Sequence, residues 1–158
     1  MKRMFAFLLT AFFCLLSVAR ADNRLLVGVY NTWAETYFAV PKLEADAYYT
    51  LKEQYTGGVS EAYQDGNCII GFISNQEGEN IGALCFDQSN DAAAFLLRCA
   101  CLISTIDLWD ERNFQILFFA FVHMHKNPKE LYTKTLVGGS KLIMSTSSHG
   151  LAAYVLGE

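Results

Sequence analysis

Two histidines separated by one methionine are the residues whose types and spacing come closest to a metal site. His123, Met124 and His125 end an apolar, aromatic-rich segment, residues 114–125, that favours a central strand buried on both faces. On a strand, alternate side chains share a face, so His123 and His125 could bind the same metal ion. Met124 would point to the opposite face, and no third ligand lies nearby in the sequence. The pair is therefore a metal candidate without a complete ligand set, and we expect no cofactor.

A serine-rich loop offers a second kind of chemistry, the nucleophilic attack of a serine hydrolase. His149 lies in this loop beside Ser145, Ser147 and Ser148. The acids that such a site could use are Asp107, Asp110 and Glu111. Serine hydrolases often expose the nucleophile in a G-x-S-x-G turn, which is missing here, as are phosphate-binding and zinc-finger spacings. The pattern therefore predicts no catalytic residue, and His149 is the residue to test if the protein is a hydrolase.

The pattern of residues 68–87 predicts a β-hairpin. Two apolar, β-rich runs flank Glu77 and Gly78, which can form the centre of a tight turn. In that register Cys68 faces Asp87 and Cys85 faces Ile70. The two cysteines therefore lie diagonally on one face of the hairpin.

Four cysteines follow residue 21, and an even number is typical of disulfides in an exported chain. They are Cys68, Cys85, Cys99 and Cys101, and they can pair in three ways. We favour the Cys68–Cys85 pair: a disulfide needs Cα atoms within about 7 Å, and these two meet that condition if the twist of the hairpin or a bulge brings them together. Cys99 and Cys101 would diverge by about 200° on a helix and are typical of small core residues.

An aromatic cluster occurs early in the chain and consists of Tyr30, Trp33, Tyr37 and Phe38. Exposed aromatic residues are enriched in protein interfaces, so these four are the interface candidates. The alternative, which the sequence favours, is that they pack onto the sheet.

The elements that would position these residues are several strands and two helices. Strands are predicted at residues 25–30, 68–74, 80–86, 114–125, 131–137, 140–144 and 151–156. An amphipathic helix is predicted over residues 41–55, where apolar residues recur at spacing four. A second helix, over residues 91–108, is apolar nearly all round and is expected in the core rather than in a membrane.

These elements predict an α+β fold, an antiparallel sheet with one buried and one amphipathic helix. The alternative is a mostly β domain in which residues 41–55 are extended. No repeat, linker or low-complexity tract divides the chain, so residues 22–158 are expected to form a single compact domain.

Residues 1–21 have the three parts of a secretory signal peptide. Lys2 and Arg3 precede an apolar stretch, and Ala19-Arg20-Ala21 forms a cleavage site. The sequence therefore predicts an exported protein, periplasmic or secreted, with no integral membrane span after cleavage.

The net charge of residues 22–158 limits the classes of partner that the protein could bind. Residues 1–21 contain three of the 12 basic residues and none of the 16 acidic ones, so the remaining chain has a net charge of −7. This balance argues against nucleic acid and is compatible with a basic protein partner. We expect a small exported protein that binds another protein, such as an inhibitor, an immunity-type protein or an adaptor. The alternative is an exported hydrolase using His149 or a metal-binding protein using His123 and His125.

Overall fold

The computed structural model describes residues 23–44, 48–49, 59–65, 67–75, 77–89 and 91–157, which form three α-helices and an antiparallel sheet. The helices are α1 (Asn23–Trp33), α2 (Ala92–Ile106) and α3 (Glu111–Lys126), and α1 continues into a π-helical turn, Ala34–Phe38. The α+β class is confirmed. The predicted signal peptide, residues 1–21, lies outside the described residues.

Six strands of four residues or more, and one two-residue strand at an edge, form the sheet in the order β1-β2-β3-β4-β7-β6-β5. The strands are β1 (Tyr48–Tyr49), β2 (Val59–Asp65), β3 (Cys68–Ser74), β4 (Asn80–Asp87), β5 (Tyr132–Thr135), β6 (Lys141–Ser147) and β7 (Gly150–Leu156). The last strand, β7, lies between β4 and β6 and joins the two halves of the sheet.

The helices cover one face of the sheet. Alternate residues of the central strands are buried beneath them, including Phe72, Met144 and Val155. Helix α2 lies over β4 and β7, with α1 and α3 on either side of it. Because α2 is apolar nearly all round, it can be buried on the sheet and between two helices at once.

The prediction of a buried helix after residue 90 is confirmed. The Asp91 carboxylate caps α2 by accepting hydrogen bonds from the backbone N–H groups of Ala93 and Ala94, each 3.1 Å long. The buried hydroxyls of Ser104 and Thr105 donate to backbone carbonyls one turn earlier. No helix in the described part of the chain is both long and apolar enough to cross a membrane.

The predicted hairpin of residues 68–87 is confirmed, and its register is the one expected. Cys68 pairs with Asp87, and Ile70 pairs with Cys85. The second hairpin joins β5 and β6 through Gly138 and Gly139, as its turn residues indicate.

Two predicted strands, residues 25–30 and 114–125, are wrong because both segments are helical. Their β-branched and aromatic residues favour strands, yet the apolar spacing that decides burial is helical. In the first segment the buried residues Leu26 and Tyr30 are four apart. In α3 the buried positions recur every three or four residues: Asn113, Leu117, Ala120 and Met124.

The helix predicted over residues 41–55 is also wrong where the structure describes it. Residues 41–44 have no helical structure, and Tyr48–Tyr49 is a strand paired with β2. The Asn31 side chain binds both backbone groups of Leu43, accepting from its N–H (2.8 Å) and donating to its carbonyl (3.1 Å). These bonds fix the backbone at Leu43. The rest of the segment lies outside the described residues.

A polar clasp formed by Asp107 and Asn113 ties the α2–α3 connection to the β5–β6 turn. Asp107 Oδ1 accepts from the backbone N–H of Gly138 at 2.8 Å, and Oδ2 accepts from that of Ser140 at 3.0 Å. Oδ1 also accepts from the Leu108 N–H at 2.9 Å. A Cβ at Gly138 would lie 2.7 Å from Asp107 Oδ1, so glycine is what allows the carboxylate to approach this turn.

Asn113 completes the clasp from the first turn of α3. It is fully buried, and its amide donates to Asp107 Oδ1 and to the Leu108 carbonyl, while its Oδ1 accepts from the Val137 N–H at 2.8 Å. The candidate acid Asp107 therefore holds three segments together, from the helical layer to the sheet. The clasp fixes the loop between α2 and α3, which carries Trp109.

Replacing Asn113 with alanine should lower the free energy of unfolding by about 2–4 kcal/mol, because it breaks three hydrogen bonds and leaves the Val137 N–H without its partner. Urea unfolding followed by circular dichroism measures this loss. The matched control is Gln115→Ala, an exposed amide on the same helix, which should change stability by no more than about 0.5 kcal/mol. Equal losses for the two variants would contradict the clasp.

Candidate functional site

Five aromatic side chains meet at one end of the helical layer and form the aromatic cluster. They are Trp33, Tyr37, Phe38, Trp109 and Phe114. The first three come from the end of α1 and its π-helical turn, Trp109 from the α2–α3 loop, and Phe114 from α3. Residues far apart in sequence thus build one surface.

The centre of the cluster is a stacked tryptophan pair. The rings of Trp33 and Trp109 are 4.9 Å apart and nearly parallel, at 6°. Tyr37 packs at 5.0 Å from Trp33, and Phe114 packs at 4.8 Å from Trp109 with its ring tilted. These separations and angles are favourable for aromatic pairs. The cluster is therefore packed before any partner binds.

Much of this aromatic area faces solvent. Tyr37 is 62% exposed and Trp109 is 51% exposed. On α3, Phe118 lies one helical turn beyond Phe114 and is 57% exposed, and Phe119, with its ring 6.4 Å from that of Phe118, is 64% exposed. We call Tyr37, Trp109, Phe118 and Phe119 the exposed aromatic surface. Exposed large aromatic side chains that lie together are typical of binding surfaces.

The loop that carries Trp109 is fixed at both ends. At one end, Asp107 is held by the polar clasp. At the other, Asp110 caps α3 by accepting a hydrogen bond of 2.8 Å from the backbone N–H of Arg112. The Arg112 side chain also donates to both carboxylate oxygens of Asp110. These hydrogen bonds lower the pKa of Asp110 to about 2, so the cap is ionised at neutral pH. Trp109 is thus held on a rigid support.

The predicted interface residues divide into two groups. Trp33, Tyr37 and Phe38 come together in the cluster, whereas Tyr30 is 1% exposed and lies in the core. Burial raises the pKa of the Tyr30 phenol above its usual range. The Phe38 ring contacts Trp109 of the α2–α3 loop and Phe114 of α3, and Trp33 and Phe38 also pack against the buried core.

Sequence reasoning missed the other half of the surface. Trp109 directly follows the predicted helix of residues 91–108, and Phe114, Phe118 and Phe119 lie in the segment predicted as a buried strand. The available signal was the apolar dipeptide at Leu108 and Trp109, placed directly after a buried helix. Reading residues 114–125 as a helix would also have placed Phe118 and Phe119 away from the buried stripe.

The strand that was expected to align His123 and His125 is a helix, so their side chains diverge by about 200°. His123 Nε2 lies 3.2 Å from Glu130 Oε2, and its ring packs near Tyr132. His125 stacks on Phe121 with ring centroids 5.7 Å apart. Within the described ranges, no group of three or more His, Cys, Asp or Glu residues is arranged to hold a metal ion.

The serine-rich loop around His149 is an exposed turn between β6 and β7. The His149 N–H donates to Ser147 Oγ at 3.1 Å. Asp107 binds Ser140 at the opposite end of β6, about 20 Å away along a seven-residue strand. The structure therefore does not bring this candidate acid to His149.

Asp87 is a buried acid next to a small pocket. It is 1% exposed, and its Oδ1 accepts from the Ser89 N–H (2.7 Å) and hydroxyl (2.5 Å). Its Oδ2 has no hydrogen-bond partner among the described residues and lies 3.8 Å from Arg98 Nη1. A pocket of about 160 Å³ opens here, and Asp87, Arg98, Ser89 and Cys68 are among the residues that line it.

The four cysteines are buried thiols, and no pair within the described residues is at bonding distance. Cys68 and Cys85 are in contact without being bonded: their Sγ atoms are 3.5 Å apart and share a hydrogen bond. That hydrogen bond and burial raise the pKa of the Cys68 thiol, and burial raises the pKa of Cys101 to about 12. The predicted disulfide thus stays a prediction.

Comparison with models of protein families gives no match, and neither the curated proteins nor the solved structures contain a match to this chain.

The stacked tryptophans should stabilise the fold as a coupled pair. Replacing Trp33 and Trp109 with leucine, singly and together, should give a coupling free energy of about 0.5–1.5 kcal/mol, because each ring loses its partner in either single variant. Urea unfolding of the four proteins measures it. The control cycle pairs Trp33 with Phe119, which belongs to another contact, and should give a coupling near zero. Equal coupling in the two cycles would contradict the stacking.

Proposed function

We propose that the protein acts by binding a protein partner through the exposed aromatic surface. The observation that carries this proposal is the exposure of Tyr37, Trp109, Phe118 and Phe119, each at least half accessible, beside a packed tryptophan pair. Tyrosine and tryptophan are enriched among the residues that contribute most to binding free energy. The predicted export and the acidic charge are compatible with such a role.

The packing that already holds these aromatic side chains in place also favours binding. Immobilising a side chain on association costs roughly 0.5–1.5 kcal/mol, and this cost falls when the side chain is already packed. Trp109 is held by its stack with Trp33 and by the loop on which it lies. A partner can therefore cover this area with little loss of conformational entropy.

Charged pairs lie close in sequence to the exposed aromatic surface. Glu35 forms a salt bridge with Lys42 beside the π-helical turn, and Asp110 pairs with Arg112 one residue after Trp109. An apolar centre with a polar rim is the usual anatomy of a protein interface. The mixed signs of these charges would select a partner by its pattern of charge more than by its net charge.

The outer face of the sheet is the competing surface. It carries apolar side chains, including Ile69, Leu84, Phe86 and Ile143, and none of the described helices covers it. Most of these residues are only partly exposed, and the most exposed aromatic among them is Tyr154, at 39%. The larger exposure on the helical side favours the exposed aromatic surface.

A matched pair of tyrosines tests the proposal. A photo-crosslinking amino acid, p-benzoylphenylalanine, replaces either Tyr37 or Tyr154 in the full chain, and the cells that produce the protein are irradiated. We expect a discrete cross-linked product from position 37 and none from position 154, with the partner identified by mass spectrometry. A product from position 154 alone would move the interface to the sheet face and overturn the proposal.

Substitution of the surface gives the quantitative prediction. Phe119→Ser and Trp109→Ser should each weaken the captured complex about 10-fold or more, since loss of a central aromatic costs about 2 kcal/mol. Tyr154→Ser should leave the affinity unchanged, and circular dichroism verifies that each variant folds. If both aromatic variants retain the complex at full affinity, the proposal is wrong. Light scattering shows whether the captured partner is a second copy of the chain.

A further inference from the structure

Three of the buried thiols lie together between the β3–β4 hairpin and α2, and we call them the thiol cluster: Cys68, Cys85 and Cys99. The Sγ atoms of Cys68 and Cys85 are 3.5 Å apart. Cys99 of α2 is also fully buried and lies close to Cys85. The fourth thiol, Cys101, is two residues further along α2 and is also buried.

The hairpin register explains why two of these thiols approach each other. Cys68 pairs with Asp87 and Cys85 with Ile70, so the two cysteines are diagonal neighbours on the face beneath α2. Right-handed twist of an antiparallel pair brings side chains along one diagonal closer than those along the other. The 3.5 Å contact shows that Cys68 and Cys85 lie on the short diagonal.

We infer that, in an oxidising compartment, Cys68 and Cys85 form a buried structural disulfide, the only one among the four described cysteines, while Cys99 and Cys101 stay reduced. The oxidant is a disulfide, either oxidised glutathione or a protein dithiol catalyst in its disulfide form. Each cysteine thiol gives up one proton and one electron as the new S–S bond forms. The two electrons and two protons convert the oxidant disulfide into two thiols, so the exchange balances.

The surroundings determine when the bond can form. Cys68 lines the small pocket beside Asp87 and Arg98, yet it is only 1% exposed, and Cys85 is fully buried. Exchange requires a thiolate and access to it, and burial disfavours both. Oxidation should therefore be fast while the hairpin is open during folding and slow once α2 covers it. The finished disulfide should resist reductants for the same reason.

Refolding of the full chain tests the pairing directly. The reduced, denatured protein refolds in a buffer of oxidised and reduced glutathione, the remaining thiols are blocked with N-ethylmaleimide, and peptides are mapped by mass spectrometry. We expect one linked peptide pair joining Cys68 to Cys85, with Cys99, Cys101 and, where the chain retains it, Cys14 blocked. A product in which every cysteine is blocked, or a major product joining Cys85 to Cys99, would overturn the inference.

Thermal unfolding supplies the second readout. A bond that closes the loop between residues 68 and 85 should raise Tm by about 5–10 °C relative to the reduced protein. Cys101→Ser is the matched control and should keep this oxidative shift, whereas Cys68→Ser should lose it. An equal shift in Cys68→Ser would overturn the pairing, and the peptide map of the unaltered chain remains decisive if that variant fails to fold.

Access supplies a third readout. The oxidised, folded protein should retain its disulfide in millimolar dithiothreitol and lose it when guanidinium chloride is added. Rapid reduction of the folded protein would contradict the protected position of the pair. This measurement is independent of any partner, so its result does not depend on the proposed function.

Discussion

The hydrogen bonds of Asp107 and Asn113 are the constraint on which the arrangement of the layers depends. They connect the end of α2, the start of α3 and the β5–β6 turn, and the Asn113 side chain at their centre is fully buried. A buried polar group without a hydrogen-bond partner lowers the stability of the fold, so the loss of one member of this network also destabilises the groups that it paired. It therefore fixes α3 against the sheet and, through the loop between the helices, fixes the position of Trp109.

The central position of α2 in the helical layer determines both the arrangement of the helices and the location of the candidate surface. Because α2 is apolar nearly all round, it occupies the centre of the helical layer and leaves α1 and α3 at the flanks. The π-helical turn after α1 then meets the N-terminal end of α3 across the α2–α3 loop, and the aromatic residues of the three segments come into contact. Rigid support and exposed aromatic area thus arise together.

Local signals made part of this structure predictable. The β3–β4 hairpin and α2 are specified by a turn, by alternation and by the Asp91 cap, which act within a few residues. The sequence predicts strands where α1 and α3 form, because β-branched and aromatic residues favour strands. The burial of Leu26, Leu117 and Met124, at helical spacing within their segments, is what makes these segments helical. Only part of the exposed aromatic surface can be predicted from the sequence. Tyr37 belongs to a cluster of aromatic residues close together in the sequence, whereas Trp109 joins that cluster only through tertiary contacts.

The position of β7 has a consequence for the order of assembly. Strands β1–β4 form one meander and β5–β6 one hairpin, and each can pair from neighbouring sequence. The two halves meet only through β7, where Leu156 pairs with both Gly82 and Lys141. Pairing of residue 82 with residue 156 is a non-local contact that must await nearly the whole chain, which slows folding. Until that strand inserts, both halves expose an unpaired strand edge, and such edges pair readily with other chains.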